Sequence, residues 1–336
     1  MLTAADGHPA APEGGPVVLP VAGKALDGAA FWSYTAALSA ALRERFAAAD
    51  YHVVHLQHLA FGATPALQHA FPHLPQVAIV HGTDLLYAET YAAQAEVLRR
   101  TVNTADAVVV PTLAMADRLV PLVDGLPKRI VHIPWGVPDE LLGSGGEPGR
   151  ESPGKLRILY AGRLTAEKAT GSVLSTVAGL DGVVLSVAAP AAEYALLAGD
   201  GALCGVRYLG WLTRPALWQE FARHDLLIVP SVKLEAFGLV AVEAQACGLP
   251  VAFQAVPGLS EVLLDSGFRV DFSDAGRVAV LVEKLRANPA LLAETREAGR
   301  ANSARFPLSA TASALRKLSA DLVARAPTAR RGGAGR

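Results

Sequence analysis

Two carboxylates and a glycine carry the most specific chemical signal in this sequence. Glu235 and Glu243 have seven residues between them inside Val229-Pro-Ser-Val-Lys-Leu-Glu-Ala-Phe-Gly-Leu-Val-Ala-Val-Glu-Ala-Gln-Ala-Cys-Gly-Leu-Pro-Val. The apolar run Leu226–Val229 reads as a buried strand, Ser231–Glu235 as a polar loop, and a helix is expected to start near Phe237. A helix that starts at a strand's carboxyl end presents unpaired N–H groups and the positive end of its dipole, which suits an anion. Gly238 lacks a Cβ, so a phosphate or sugar can approach its backbone closely. Glu235 lies just ahead of that helix start, and Glu243 lies about two turns further in. One carboxylate can meet a group at the helix mouth while the other reaches a neighbouring hydroxylated group, since carboxylates accept from sugar hydroxyls. The bland alternative is an amphipathic helix with two exposed glutamates.

A second set of residues could hold a diphosphate. Ile158–Ala169 reads Ile-Leu-Tyr-Ala-Gly-Arg-Leu-Thr-Ala-Glu-Lys-Ala: a buried strand ends at Gly162, followed by Arg163 and Lys168. Arginine can bind a phosphate bidentately and lysine acts as a point charge. In the first half, Ile79-Val80-His81-Gly82-Thr83-Asp84 places a histidine at the end of a buried strand. His81 is suited either to capping backbone groups there or to donating a hydrogen bond to a reacting group. His52, His55 and His58 have three-residue spacing, but positions three apart on a strand point to opposite faces and cannot converge on one ion. Core or cleft wall is the preferred reading for them.

The elements that must position these residues alternate along the chain. Strands are expected at Val17–Pro20, His52–Leu56, Val77–His81, Val108–Pro111 and Ile130–Ile133, with helices at Phe31–Ala47, Pro65–Phe71, Tyr87–Asn103 and Leu113–Leu122. Residues 143–154 are nearly all turn formers and charges, a linker composition. The alternation then restarts, with strands at Ile158–Ala161, Val183–Val187, Val206–Leu209, Leu226–Val229 and Val251–Phe253. Helices fit Ala169–Leu180, Ala192–Ala198, Pro215–His224, Gly238–Cys247, Leu259–Leu264, Arg277–Ala287 and Ser309–Ala326. The expected class is α/β, with two doubly wound, Rossmann-like domains, each with its ligand crevice at the carboxyl ends of its strands. The expected boundaries are 1–142, a linker at 143–154, a second domain at 155–305, a helix at 306–326 and a disordered tail at 327–336.

The Glu235-to-Glu243 segment, with its preceding strand-Pro-Ser and trailing Ala-Cys-Gly-Leu-Pro, resembles the E-x7-E signature of the retaining nucleotide-sugar glycosyltransferases of family 4. The Gly162-Arg163…Lys168 segment is similar to the family's basic pair on the donor diphosphate, with Ala169 where the family has glycine. Val131–Val137 resembles the family's V-I-P-N-G-V turn, with Trp135 in place of asparagine, and reads as architecture. The resemblance spans about residues 155–270 strongly and 17–140 weakly.

The resemblance implies the GT-B fold: two domains facing a central cleft, with the C-terminal helix crossing back to the first domain. It implies Arg163, Lys168, Glu235 and His81 in the chemistry, with Gly28, Gly162, Ala236, Phe237, Gly238, Leu239 and Glu243 also on the donor. Gly28 matches the second glycine of an N-terminal G-G loop whose first position is Asp27, and an acid near phosphates needs a compensating partner. Asp27, His58, Thr83 and Asp84 are expected on the acceptor. The implied reaction moves a sugar from a nucleotide diphosphate, UDP by resemblance, to an acceptor hydroxyl with retention. No D-x-D pair for a divalent cation is found, so neither metal nor cofactor is expected. The segment Ala188–Tyr194 sits where the family often has a glycine-rich base-binding loop, and it contains no glycine.

Other classes remain in view. A nucleotide-sugar 2-epimerase of similar shape needs carboxylates and histidines around the sugar's C2, and its diagnostic segments are not seen. A non-catalytic sugar-nucleotide-binding subunit would bind without turnover. Hydrophobic residues at 51% and charged residues at 18% of 336 argue against disorder, and a net charge of −1 gives no global attraction to nucleic acid or anionic membrane. Two cysteines fit a reducing cytoplasm, and no apolar run reaches the ~20 residues of a membrane span. The expected partners are therefore a nucleotide-sugar donor and a small soluble acceptor such as a cyclitol, an amino sugar or a secondary metabolite. The sequence leaves the oligomeric state open.

Overall fold

The computed structural model describes residues 2–3, 17–123, 127, 129–143, 155–168, 171–199, 201 and 203–326. The chain divides into two compact units, Met1–Ile133 with Ser313–Arg336, and Pro134–Ala312. Residues 144–154 of the expected linker, the Ala169 substitution and the 327–336 tail lie outside the described residues.

In the first unit, β1 (Leu2–Thr3) and β2 (Val18–Leu19) pair in parallel as a sheet of their own. Four further strands, β3 (Val54–Gln57), β4 (Gln76–Ile79), β5 (Ala107–Val110) and β6 (Ile130–His132), form a parallel sheet in sequence order. The expected strand at Val17–Pro20 therefore lies outside the main sheet. Every residue of β4 and β5 is buried, as in a parallel sheet covered on both faces. The helices are α1 (Gly28–Arg45), α2 (Ala63–Ala70), α3 (Gly82–Ala88), α4 (Ala92–Thr104) and α5 (Leu113–Leu119). The single helix expected over Tyr87–Asn103 is two. A reciprocal capping box between His81 and Asp84 starts α3 early, and extended backbone at Tyr91 (φ −119°) separates α3 from α4.

The second unit holds β7 (Leu156–Ala161), β8 (Val183–Ala188), β9 (Arg207–Gly210), β10 (Leu226–Val229), β11 (Val251–Phe253) and β12 (Phe268–Arg269). They form one parallel sheet in the order β12-β11-β10-β7-β8-β9. The order reverses between β7 and β10, which makes the carboxyl ends of these two strands a topological switch point, where ligands of open α/β sheets bind. Leu159, Leu227, Val229 and Phe253 pack on one face of the sheet, and Ile158, Tyr160, Ile228 and Ala252 on the other. The covering helices are α6 (Gly171–Ala178), α7 (Ala191–Gly199), α8 (Arg214–Arg223), α9 (Leu239–Ala246), α10 (Leu259–Leu263), α11 (Ala275–Ala287) and α12 (Pro289–Ser303).

Helix α12 was not expected from the sequence. It docks on α9 through a buried amide pair, Asn302 Nδ2 donating to Gln245 Oε1 at 2.8 Å, and not through an apolar stripe. Helix α13 (Leu308–Arg325) returns the chain to the first unit. There Leu318 packs with Val77, Ile79 and Val109, and Ser319 Oγ lies 2.8 Å from His55 Nε2.

Candidate active site

The switch point of the second unit opens onto a cavity of about 380 Å³, within the roughly 300–1,000 Å³ usual for small-molecule sites. Gly162, Arg163 and Lys168 reach it from the end of β7, and Glu235, Gly238, Leu239 and Glu243 from the segment after β10. The register of β7 against β10, Tyr160 opposite Ile228, brings the two segments side by side.

Glu235 is held from three sides. Its Oε2 pairs with Lys168 Nζ and accepts from Ser231 Oγ at 3.0 Å. Its backbone N–H donates to Pro257 O at 3.3 Å, and Val232 N–H donates to Glu167 O at 2.9 Å. Gly258, the N-cap of α10, adopts φ +83°, and a Cβ there would sit 1.8 Å from Glu235 O. The α10 terminus thus presses directly on the Glu235 backbone, an approach open only to glycine.

Helix α9 begins at Leu239, slightly later than expected, because Gly238 takes the left-handed region (φ +82°) as N-cap. The preceding residues turn inward. Phe237 is fully buried, its ring 5.1 Å from Phe306 and 6.2 Å from Trp135, and Ala236 is buried as well. Neither lines the cavity, because burial withdraws both side chains and leaves only their backbone groups to face a donor. Trp135, read as architecture, lines the cavity instead.

Glu243 is buried, and Arg214 Nη1 at the start of α8 lies 3.0 Å from its Oε1. Burial raises the Glu243 pKa, and the Arg214 charge opposes that shift. Arg163 keeps a half-exposed side chain whose Nε donates to Glu193 Oε1 at 3.3 Å. The sequence did not point to Arg214, Ser231, Glu193 or Gly258. Arg214 and Glu193 lack a fixed spacing to the residues they meet, and Gly258 is one glycine among many.

The first unit gathers a different group. His81 is the N-cap of α3, its ring stacked on His58 (4.3 Å between centroids) and its Nε2 2.7 Å from Gln57 Oε1. Burial first, and the His58 charge second, push the His81 pKa down to about 4, so the ring is neutral at ordinary pH. His58 itself adopts φ +58°, and burial lowers its pKa. Thr83 lies half-buried in the first turn of α3.

One expected acceptor contact is corrected, and a second residue is engaged in helix capping. Asp84 is fully buried, with Oδ2 accepting the His81 N–H at 2.8 Å, so it fixes His81 and does not meet a ligand. Burial pushes its pKa up to about 7 against the opposing N–H groups of His81, Leu59 and Ala60. Asp27 caps α1: its Oδ1 accepts from Gly28 N and from Ala93 N, each at 2.9 Å, and these bonds lower its pKa. That oxygen ties α1 to α4, and the compensation its charge required is local backbone. Gly28 sits exposed beside it at φ +69°.

Comparison with known proteins gives this arrangement a family. Residues 147–302 match the model of the group 1 glycosyl transferases, and residues 1–141 match that of glycosyltransferase family 4. The chain is 30% identical over 293 residues to D-inositol 3-phosphate glycosyltransferase 1 of Catenulispora acidiphila, covering 76% of this chain and 69% of that protein. It is 32% identical over 236 residues to the D-inositol 3-phosphate glycosyltransferase of a Mycobacterium species (strain JLS), covering 62% of this chain but only about half (54%) of that relative's length. Among solved structures, the sucrose-phosphate synthase of Thermosynechococcus elongatus superposes with TM-score 0.73 at 20% identity, over 88% of this chain and 79% of that one. HepE of Anabaena, solved with UDP and glucose, superposes with TM-score 0.68 at 19% identity, over 86% of this chain and 82% of that one. The two α/β units, the E-x7-E segment at the switch point and these matches together show that the chain belongs to the family 4 glycosyltransferases of GT-B fold.

Proposed function

We propose that the chain transfers a sugar from a nucleoside diphosphate sugar to a hydroxyl of a small soluble acceptor, retaining the anomeric configuration and using no metal. The observation that carries this reading is the convergence of Arg163, Lys168, Glu235 and Glu243 on one cavity at the switch point. UDP is the nucleotide we favour, because HepE was solved with UDP and glucose and shares the fold. A cyclitol, an amino sugar or a secondary metabolite is the acceptor class we favour. The relatives named D-inositol 3-phosphate glycosyltransferase support the cyclitol. No helix among the described residues is long and apolar enough to cross a membrane. We place the reaction in the cytoplasm, where the two cysteines, both free thiols here, stay reduced.

Each residue has a chemical task in this reading. The bond between the anomeric carbon and the diphosphate oxygen breaks, and negative charge grows on the leaving phosphate. Arg163 and Lys168 stabilise that charge, aided by the N–H groups at the start of α9. Lys168 has three N–H donors, so it can keep Glu235 and still reach a phosphate oxygen. Glu235 Oε2 receives both Lys168 and Ser231, which leaves Oε1 to accept a hydroxyl of the transferred sugar. Glu243, paired with Arg214, accepts from the ribose. The acceptor oxygen attacks on the face the phosphate leaves, and its proton passes to a departing phosphate oxygen, so no protein base is needed. Within the first unit, His58 and Thr83 are assigned to the acceptor, and His81 can give a neutral N–H to a ligand in exchange for its bond to Gln57.

The test is a thermal-shift panel of UDP, GDP and ADP, followed by mass-spectrometric acceptor screening with the best donor. Release of nucleotide together with a mass gain of one hexose on a small acceptor supports the reading. Interconverted sugar without acceptor, binding without turnover, or transfer only to lipid or polymer refutes it.

A further inference from the structure

We infer that Glu193 is the positioning residue for Arg163, holding both its guanidinium and its backbone turn against the cavity. The inference rests on the proposal that Arg163 meets the donor diphosphate. Glu193 lies in the first turn of α7, where the helix dipole favours a carboxylate. Its two oxygens divide the work. Oε2 accepts the Leu164 backbone N–H at 2.6 Å, and Oε1 accepts from Arg163 Nε at 3.3 Å. One carboxylate therefore clamps a side chain and the peptide that follows it.

The contact uses the heel of the guanidinium. Arg163 lines the cavity with a side chain 58% exposed, and among the described residues its terminal nitrogens carry no hydrogen bond. Gripping Nε leaves those nitrogens to recognise an oxyanion. A surface ion pair alone is worth little, but Glu193 is only 24% exposed and its stronger bond is to backbone.

The surroundings make the clamp rigid. Tyr160 OH donates to Arg163 O at 2.6 Å and fixes the other side of the turn. Burial, with the charges of Glu193 and Glu235, raises the Tyr160 pKa, so this donor keeps its proton. Helix α7 is anchored by the Tyr194 ring stacked on Tyr208 at 3.9 Å, and Tyr208 OH donates to Ala189 O at 2.9 Å. The glycine-free segment Ala188–Tyr194, an oddity in the sequence, thus supplies a strut for the phosphate-side arginine.

Glu193 itself does not line the cavity, so it acts through Arg163. The opposite assignment, a carboxylate that competes with phosphate for Arg163, predicts the opposite sign, and calorimetry with UDP separates the two. Glu193→Ala is expected to weaken UDP about tenfold and to lower kcat/KM by at least as much, although it removes a negative charge near an anion site. Glu193→Gln, which can still accept the Leu164 N–H, is expected to recover part of the loss. In an Arg163→Ala background, Glu193→Ala is expected to change UDP affinity by less than about twofold, because its effect runs through the missing arginine. Tighter binding or no change in Glu193→Ala, or an equal loss without Arg163, overturns the inference. If Glu193→Ala does not fold, Glu193→Gln in both backgrounds carries the same comparison. A wild-type chain that binds none of UDP, GDP and ADP removes the functional reading and this inference with it. A wild type that binds while Glu193→Ala binds equally removes the inference alone.

Discussion

Replacing Gly258 by alanine should damage the candidate site from behind, without changing any side chain that meets a ligand. At φ +83° and ψ −58°, a conformation rare for residues with a Cβ, a side chain carries about 1–2 kcal/mol of backbone strain. The new methyl would also stand 1.8 Å from Glu235 O and 3.2 Å from Ala236 O, both backbone atoms that cannot rotate away. Relief requires the Glu235 peptide or the start of α10 to retreat by more than about 1 Å, and overpacking of this kind costs about 1–3 kcal/mol more. The sum, roughly 2–5 kcal/mol, corresponds to about 5–15 °C in the melting of a unit of this size. A shift of about 1 Å in a positioning group costs on the order of 100-fold in rate, so kcat/KM should fall by about that factor even in the fraction that stays folded. Gly205→Ala is the control. It has φ +77° but nothing within 4 Å of its Cβ, so it should show the strain alone and keep full activity. The assay is a thermal melt of both variants alongside steady-state transfer kinetics. A Gly258→Ala protein within about twofold of wild type in kcat/KM would refute the claim that α10 fixes Glu235.

Three further outcomes are expected. Arg163→Ala and Lys168→Ala should each remove about 1.5–3 kcal/mol of transition-state stabilisation, about 10- to 150-fold in kcat/KM, and unchanged kinetics in either would remove that residue from the donor site. Glu235→Gln should lower turnover far more than UDP affinity, while Glu243→Gln should mainly weaken UDP in calorimetry, and the reverse order would exchange their roles. Asp84 has its pKa raised from 3.8 to about 7, so the folded chain keeps a proton that the unfolded chain releases. Its contribution is therefore full below about pH 4 and is lost as pH rises through about 7, and Asp84→Asn should flatten the decline in melting temperature across that window.

The sequence was most legible where chemistry and structure are both local. Strands buried on both faces, such as β5 and β10, are unbroken apolar runs, so the alternation of two α/β units could be read directly. The strand-loop-helix carrying Glu235 and Glu243 is one contiguous segment, and its spacing survives folding intact. The misses come from contacts made across the sheet. Glu193, in the helix after β8, reaches Arg163 in the turn after β7, Arg214 reaches Glu243 from another helix, and Gly258 backs Glu235 from the next loop. No periodicity encodes such pairings. Burial was the other hidden variable. Asp84 and Phe237 sit beside glycines in polar-looking loops, yet the fold turns both side chains inward, one into a capping box and the other among aromatic rings. Helix α12 escaped notice because a buried Asn302–Gln245 pair anchors it in place of an apolar stripe.

The most direct test of the central claim is a crystal structure of the protein with UDP, or with whichever nucleoside diphosphate stabilises it most. The account predicts the diphosphate in the cavity of the second unit, its oxygens within hydrogen-bond distance of Arg163 and Lys168, and the ribose on Glu243. Nucleotide bound elsewhere, or bound in that cavity with neither cation in contact, would contradict it.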